Sequence, residues 1–304
     1  MNVFVMCPPG QVRGGIELLH QLTHELNRYD GVDAKIWYRK YNGGRLTPDA
    51  YARYGNECVI VGENIPLDAT VVIPEIWAVE AKDFRKPCIY WESVDNYVAC
   101  SGSHSLPKKL PKGTIHLTQS EYARQFLVKN GVNNSIEVTD YLNDDFLADF
   151  GETSREPIVL YNPAKGMQYT ATIMSKCSDI EFVPIGGMER EEVIGLMRHS
   201  MVYIDFGNHP GKDRIPREAA MCGLCVITGR DGSARYFEDV SIPETYKIDR
   251  NDTAQIAERI RSCLDEYAIR RADFDGYRDR IKGEKERFRA GVKELVKRCS
   301  NTPD

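Results

Sequence analysis

The chain uses one building unit twice: a short apolar run, a loop rich in Gly, Pro or polar residues, then a segment with helical periodicity. That alternation is the pattern of a parallel α/β sheet, whose strands are buried on both faces by their crossover helices. In the first half the strand candidates are 3–7, 34–38, 70–73, 88–91, 114–118 and 136–138. Ile16, Leu19, Leu22, Leu26 and Tyr29 fall on one helical face after the first strand. Ser120 caps a second expected helix, which Asn130-Gly131 stops. A polar stretch, 143–157, then reads as a linker. The second cycle places strands at 158–161, 181–185, 201–206, 225–228 and 246–248, with helices near 167–176, 189–200 and 217–221. From 252 to 298 the charges are dense and mixed in sign, as on a solvated helical face. The expected architecture is α/β: two Rossmann-like domains, 1–150 and 151–250, facing a cleft, with a C-terminal helical segment, 251–304, packing back on the first domain. Open parallel sheets bind ligands beyond the carboxyl ends of their strands, so functional residues are sought in those loops.

Composition narrows the partners. There is no run of 18 apolar residues to cross a membrane, and the N-terminus reads as a strand rather than an export signal. The net charge is −5 and no Lys/Arg block stands free of acids, so no nucleic-acid partner is expected. The nine cysteines lack framework spacing and read as reduced thiols of a cytoplasmic protein. Cys222 and Cys225 have C-x-x-C spacing without a second pair, and read as small buried residues at a helix-to-strand turn.

Several loops carry chemistry. Pro8–Glu17 is Gly-rich between strand and helix, where Gly14 and Gly15 could bring backbone N–H groups to an anion; it lacks the Lys and Ser/Thr of a phosphate-binding P-loop. Glu17, His20 and His24 share a helix face, but not in the order of a metalloprotease motif, and no metal site is expected. In the second half, Asn162-Pro163-Ala164-Lys165-Gly166 follows a strand and opens a helix, which lets Lys165 reach the phosphates of a nucleotide. The segment 201–218 gathers Asp205, His209, Lys212, Asp213, Arg214, Arg217 and Glu218 in a loop stiffened by Pro210 and Pro216. That density of ionisable groups between a buried strand and a small-residue helix is hard to account for by packing. Gly232-Ser233 follows the next strand end, where small residues admit a ligand to the backbone.

Taken in order, Gly14-Gly15-x-Glu17, Lys165-Gly166, Pro216-x-Glu218-Ala219 and Cys222-Gly223-x-Cys225-Val226-Ile227 resemble the GT-B glycosyltransferases of the family 4, or group 1, type. Thr118-x-Ser120 before a helix ending in Gly131-Val132 also resembles the end of their acceptor domain. The resemblance implies a metal-independent transferase that retains anomeric configuration and needs no cofactor beyond a nucleotide-sugar co-substrate. Glu218 would accept hydrogen bonds from the ribose, and Lys165 would neutralise the departing diphosphate. Combined with the loop readings above, the expected donor set is Gly14, Gly15, Asn162, Lys165, Gly166, Lys212, Arg214, Glu218, Gly232 and Ser233; His209 and Arg214, from the loop that departs from the family, join Lys165 as catalytic candidates. The acceptor would be a glycan or other saccharide-bearing molecule, as in polysaccharide biosynthesis. An inverting reaction would need a base in the first domain, for which Glu92, Asp95 and Glu17 are all candidates. This chain departs from the family at Pro210, where the first Glu of an E-x7-E pair is expected, and at Cys225, where the family tends to have Pro. Two alternatives follow from the same scaffold: a GT-B sugar-nucleotide epimerase, and a non-catalytic sugar-nucleotide binding protein.

Overall fold

A computed structural model describes residues 1–39, 46–60, 65–148, 151 and 153–300. The chain divides into two compact units, Met1–Asp140 together with the stretch from Lys285, and Tyr141–Glu284. Residues 149, 150 and 152 of the expected linker, and 301–304 of the expected C-terminal segment, lie outside the described residues.

The first unit is a seven-stranded sheet in the order β3-β2-β1-β4-β5-β6-β7. The strands are β1 (Asn2–Cys7), β2 (Asp33–Tyr38), β3 (Cys58–Ile60), β4 (Thr70–Pro74), β5 (Lys86–Trp91), β6 (Ile115–Thr118) and β7 (Ile136–Glu137). Every pairing is parallel. The central strands are sealed on both faces: Val5, Met6, Val72, Ile73, Ile89 and Tyr90 have no exposed surface. This is why their sequences run apolar rather than alternating. Helices α1 (Gly14–Leu26), α2 (Val94–Ser101) and α3 (Glu121–Lys129) form the crossovers, with Ser93 and Ser120 capping the latter two through Asn96 and Ala123 N–H.

Two parts of this unit differ from expectation. β3 is a half-exposed edge strand of three residues, too short to stand out as an apolar run. α2 and the 3-10 stretch Glu75–Asp83 lie in stretches to which the sequence reading assigned no element. The last helix of the described chain, Glu284–Ser300, contributes Phe288, Val292 and Leu295 to the buried interior. A Cβ on Gly291 would lie 2.1 Å from the Glu137 carbonyl oxygen, so only glycine lets that helix lie against the end of β7.

The second unit is a parallel sheet in the order β11-β10-β8-β9: β8 (Glu156–Tyr161), β9 (Glu181–Pro184), β10 (Ser200–Asp205) and β11 (Cys225–Thr228). Its helices are α4 (Asp144–Leu147), α5 (Met167–Lys176), α6 (Arg190–His199), α7 (Ile215–Met221), α8 (Thr253–Asp265), α9 (Tyr267–Arg270) and α10 (Asp275–Lys282). α11 (Glu284–Ser300) begins in this unit and continues in the first. The strand expected at 246–248 does not form. Tyr246 closes a 3-10 turn, and only Lys247 bridges to Thr228. Within the polar stretch read as a linker, Phe146 of α4 is buried in this unit's core.

Arg155 fastens this unit at one point. Its guanidinium donates to the carbonyls of Met197 at 3.3 Å, Ser200 at 2.7 Å and Cys222 at 2.5 Å, meeting carbonyl groups at the C-terminal ends of α6 and α7. Gly223, at φ +93, admits it: a Cβ there would lie 2.6 Å from Nη2.

Candidate functional site

At the carboxyl edge of the second sheet, two loops interlock. Asn162 closes a turn by accepting from Ala164 N–H at 2.9 Å, which delivers Lys165 and Gly166 over the loop that follows β10. Gly166 has φ +66, and a Cβ on it would come within 2.6 Å of Gly207 backbone. A Cβ on Gly207 would in turn strike the Lys165 stem at 2.8 Å. Two glycines facing each other therefore let the lysine stem lie against the backbone and bring Nζ to the carboxylates at the end of β10.

There Lys165 Nζ sits 2.9 Å from Asp205 Oδ2 and also contacts Asp213 Oδ2. His209, with no exposed surface, lies between the same two carboxylates: Nε2 is 3.5 Å from Asp205 Oδ1, and Nδ1 is 3.0 Å from Asp213 Oδ2. These are ion-pair distances that lack the alignment of good hydrogen bonds. Asp205 also accepts from the Tyr203 hydroxyl and from Gly207 N–H, both at 3.1 Å. Burial alone would make every charge here costly, but the charges support one another. Burial opposes protonation of His209, yet Asp205 and then Asp213 outweigh it and lift the ring to about 9, so it is an imidazolium at neutral pH. Burial would likewise raise Asp205, yet His209 and Lys165 hold it well below the usual carboxylate range, and Asp213 is lowered in the same way. Lys165 stays above its ordinary value despite burial, because of Asp205 and Asp213. Two anions and two cations cancel. Asp205, His209 and Asp213 also each offer a metal-ligand atom within 4.8 Å of the others, and the Lys165 ammonium already stands between the two carboxylates.

The loop is clamped from within its own unit. Arg217, fully buried, donates to Glu284 Oε2 at 2.7 Å, to the Asp213 carbonyl at 3.1 Å and to the Lys212 carbonyl at 3.2 Å. Lys212 itself pairs with Glu284 Oε1 at 2.8 Å. Lys212 is thus buried in the clamp, and a phosphate reaching it would compete with Glu284. The small residues after β11 serve the same loop. A Cβ on Gly232 would lie 1.9 Å from the His209 carbonyl oxygen, Ser233 N–H donates to that oxygen at 2.9 Å, and Ser233 Oγ donates to Gly211 O at 2.6 Å. The backbone that these small residues admit is that of His209. Arg214 stands at the N-terminal boundary of α7 ahead of Pro216, without a side-chain capping bond, and Glu218 lies half-buried one turn further on.

In the first unit, Gly14 and Gly15 open α1, and a Cβ on Gly15 would lie 2.2 Å from Glu92 Oε2. Glu92 follows β5, and its backbone N–H donates to Glu75 Oε2 at 3.1 Å. Glu75 follows β4. Burial lifts its carboxyl to about 7 against the opposing backbone N–H groups of Glu92 and Ser93. Sequence reasoning missed Glu75, whose only signal is a carboxylate directly after the apolar run Val71-Val72-Ile73-Pro74. Of the other base candidates, Asp95 accepts from the Tyr122 hydroxyl at 2.7 Å. Glu17 is buried with Arg53 and accepts from the Tyr54 hydroxyl at 2.8 Å. Glu17, His20 and His24 do not converge on one point. His20 packs among Tyr38, Tyr51 and Tyr54, with burial lowering it to about 4, while His24 Nδ1 meets the Tyr54 carbonyl at 2.9 Å.

No protein-family model matches the chain, and no curated protein matches it in sequence. Its structure, by contrast, has many counterparts. Sucrose-phosphate synthase from Thermosynechococcus elongatus superposes with a TM-score of 0.69 at 13% identity, covering 97% of this chain and 98% of that one. A glycosyltransferase from Rickettsia africae ESF-5 gives 0.67 at 13% identity, covering 99% of both. A trehalose-6-phosphate protein from E. coli, bound with UDP-2-fluoro glucose, gives 0.62 at 7% identity over the whole of both chains. The fold is that of the GT-B glycosyltransferases.

Proposed function

We propose that the protein is a metal-independent glycosyltransferase that moves a sugar from a nucleotide-sugar donor to a hydroxyl of a glycan or other saccharide-bearing acceptor, with retention of configuration. The observation that carries this reading is the Lys165–Asp205–His209–Asp213 cluster at the carboxyl edge of the second sheet, where an α/β fold of this class takes its ligand. A diphosphate arriving there exchanges places with Asp213 around the Lys165 ammonium. The His209 imidazolium adds a second cation, so negative charge developing on the leaving group meets a preorganised positive field. Asp205, His209 and Asp213 are the residues that would hold a cation here; Lys165 already pairs with both carboxylates, and in this reading it supplies that positive charge itself. Glu218 binds the ribose hydroxyls, Asn162 and Gly166 shape the approach, and Arg214 faces the phosphates. Lys212, Gly232 and Ser233 act by holding the loop. Because a retaining transfer needs no base in the first unit, Glu92, Asp95 and Glu17 are given no proton-transfer role in this reading. The E. coli structure bound with UDP-2-fluoro glucose supports a uridine-type donor. Nine free cysteines support a reducing, cytoplasmic setting. Among the described residues no helix is long and apolar enough to cross a membrane.

Calorimetry of UDP binding in excess chelator tests the reading. Binding should persist unchanged. Binding that vanishes with chelator and returns with Mg²⁺ or Mn²⁺ would overturn the role given to Lys165.

A further inference from the structure

The first unit has a second feature, at the edge of the sheet opposite the loops of Gly15, Glu75 and Glu92. A cavity of about 310 Å³ opens where β6 begins, lined by Thr114, His116, Asn134 and, from α11, Glu294, Lys297 and Arg298. His116 is 94% buried, and the hydrogen on its ring is fixed by a neighbour. Trp91 Nε1 lies 3.1 Å from His116 Nδ1, and an indole N–H can only donate. Nδ1 is therefore the acceptor, and the proton of the neutral ring sits on Nε2. Burial lowers the ring to about 4, which keeps it neutral. Among the described residues no group accepts from Nε2, and that atom is not sealed inside the protein. A buried side chain thus aims one fixed donor into the cavity.

The rest of the lining favours an anion. Arg298 donates to Glu294 at 3.0 Å and to the Asn134 carbonyl at 2.5 Å, so Glu294 is balanced by one cation. Among the described residues Lys297 has no carboxylate partner, which leaves the lining with one net positive charge. The volume lies at the small end of ligand pockets, too small for a nucleotide sugar and adequate for a small metabolite. We propose that this cavity binds a small phosphate-bearing anion, with His116 Nε2–H, Lys297 and Arg298 as its recognition groups. Oxyanion recognition by a neutral N–H together with two cations uses charge-assisted hydrogen bonds. Neither this site nor its ligand depends on the transferase reading, because it lies at the other edge of the sheet.

The experiment titrates the full chain with inorganic phosphate and with glycerol phosphate. Calorimetry reads affinity, and the ¹⁵N signals of labelled histidine report on His116. One site should saturate, the His116 Nε2 signal should shift, and saturating UDP should leave both unchanged. Lys297→Ala, at an exposed position, should weaken binding at least about tenfold while the Trp91–His116 contact stays intact. His116→Gln should do the same, and Lys297→Ala keeps the test decisive if that variant fails to fold. Tighter binding of the ester supports a phosphorylated metabolite as ligand, and equal or tighter binding of phosphate supports the free ion. No shift of His116 at millimolar probe, affinity unmoved by Lys297→Ala, or displacement by UDP would each overturn the proposal.

Discussion

At the carboxyl edge of the first sheet, the buried Glu75 carboxyl accepts from Glu92 N–H. At the same edge of the second sheet, Asp205 and Asp213 are met by Lys165 and His209. Glu75 stands at a strand end of the first sheet and Asp205 and Asp213 at the end of β10 and in the loop after it, and the surroundings give these acids opposite states. In the first, burial dominates and Glu75 keeps its proton to about 7. In the second, paired cations dominate and both aspartates stay ionised. Desolvation and pairing are separable influences on a carboxyl, and here the same kind of strand end displays each in turn. The first edge holds a carboxyl neutral up to about pH 7. The second is suited to receiving an anion, because its cations need only change partners.

The contrast is most easily broken at the clamp beneath the second edge. Arg217→Ala leaves Glu284 buried against Lys212 alone, and removing one partner of a buried ion pair typically costs about 3–5 kcal/mol. Urea unfolding should show that loss, and unchanged stability would mean that the loop is held by other contacts. Lys165→Ala removes the cation meant to exchange between carboxylate and phosphate. Turnover should fall by about 10²–10³, as when one preorganised donor to a developing oxyanion is lost. Single-turnover rates equal to the parent protein would move the phosphate contact elsewhere. Glu218→Ala should cost about 1.5–3 kcal/mol of donor binding in calorimetry, with the fold intact; unchanged affinity would withdraw the ribose contact.

The smallest effects are slopes with pH, and they sharpen the comparison. His209 rises from an ordinary 6.5 to about 9, so its contribution is full below 6.5 and is lost as pH climbs through 9. Glu75 rises from 4.5 to about 7, so its contribution is full below 4.5 and is lost as pH climbs through 7. Each group gives a slope of at most about 1.4 kcal/mol per pH unit, falling as pH rises. In thermal unfolding, Glu75→Gln should flatten the lower window and His209→Gln the upper one. A variant that flattens the other's window would show that the two edges are not electrostatically independent.

Much of this was legible in the residues. Strands such as β1, β4, β5 and β10 announce themselves because both faces are buried, so their apolar runs are continuous. β3 hides because it is short and half-exposed, and the segment 246–248 misleads because an apolar pair around Lys247 packs as a turn. The loop 205–218 is conspicuous by its density of charge, but the pairings inside it are not. Lys165 arrives from another strand end, and Glu284 lies 67 positions from Arg217. Lys212 and Arg214, read as donor-binding groups, could not be separated from Lys165 and His209 by spacing alone. Glu75 was invisible because its partners are backbone N–H groups, which every residue type but proline supplies.

Arg155 has a further consequence. One planar guanidinium terminates both α6 and α7 by reaching carbonyls of Met197, Ser200 and Cys222. A lysine has donors enough but no rigid fork, and cannot span carbonyls set so far apart. The last turns of the two helices therefore share one latch. In native-state hydrogen exchange they should open as a single unit with one free energy, although 25 residues separate Met197 from Cys222. Since α7 follows directly from the His209 loop, how tightly that loop is held is set partly on the far side of the helix, by a residue that touches no part of it.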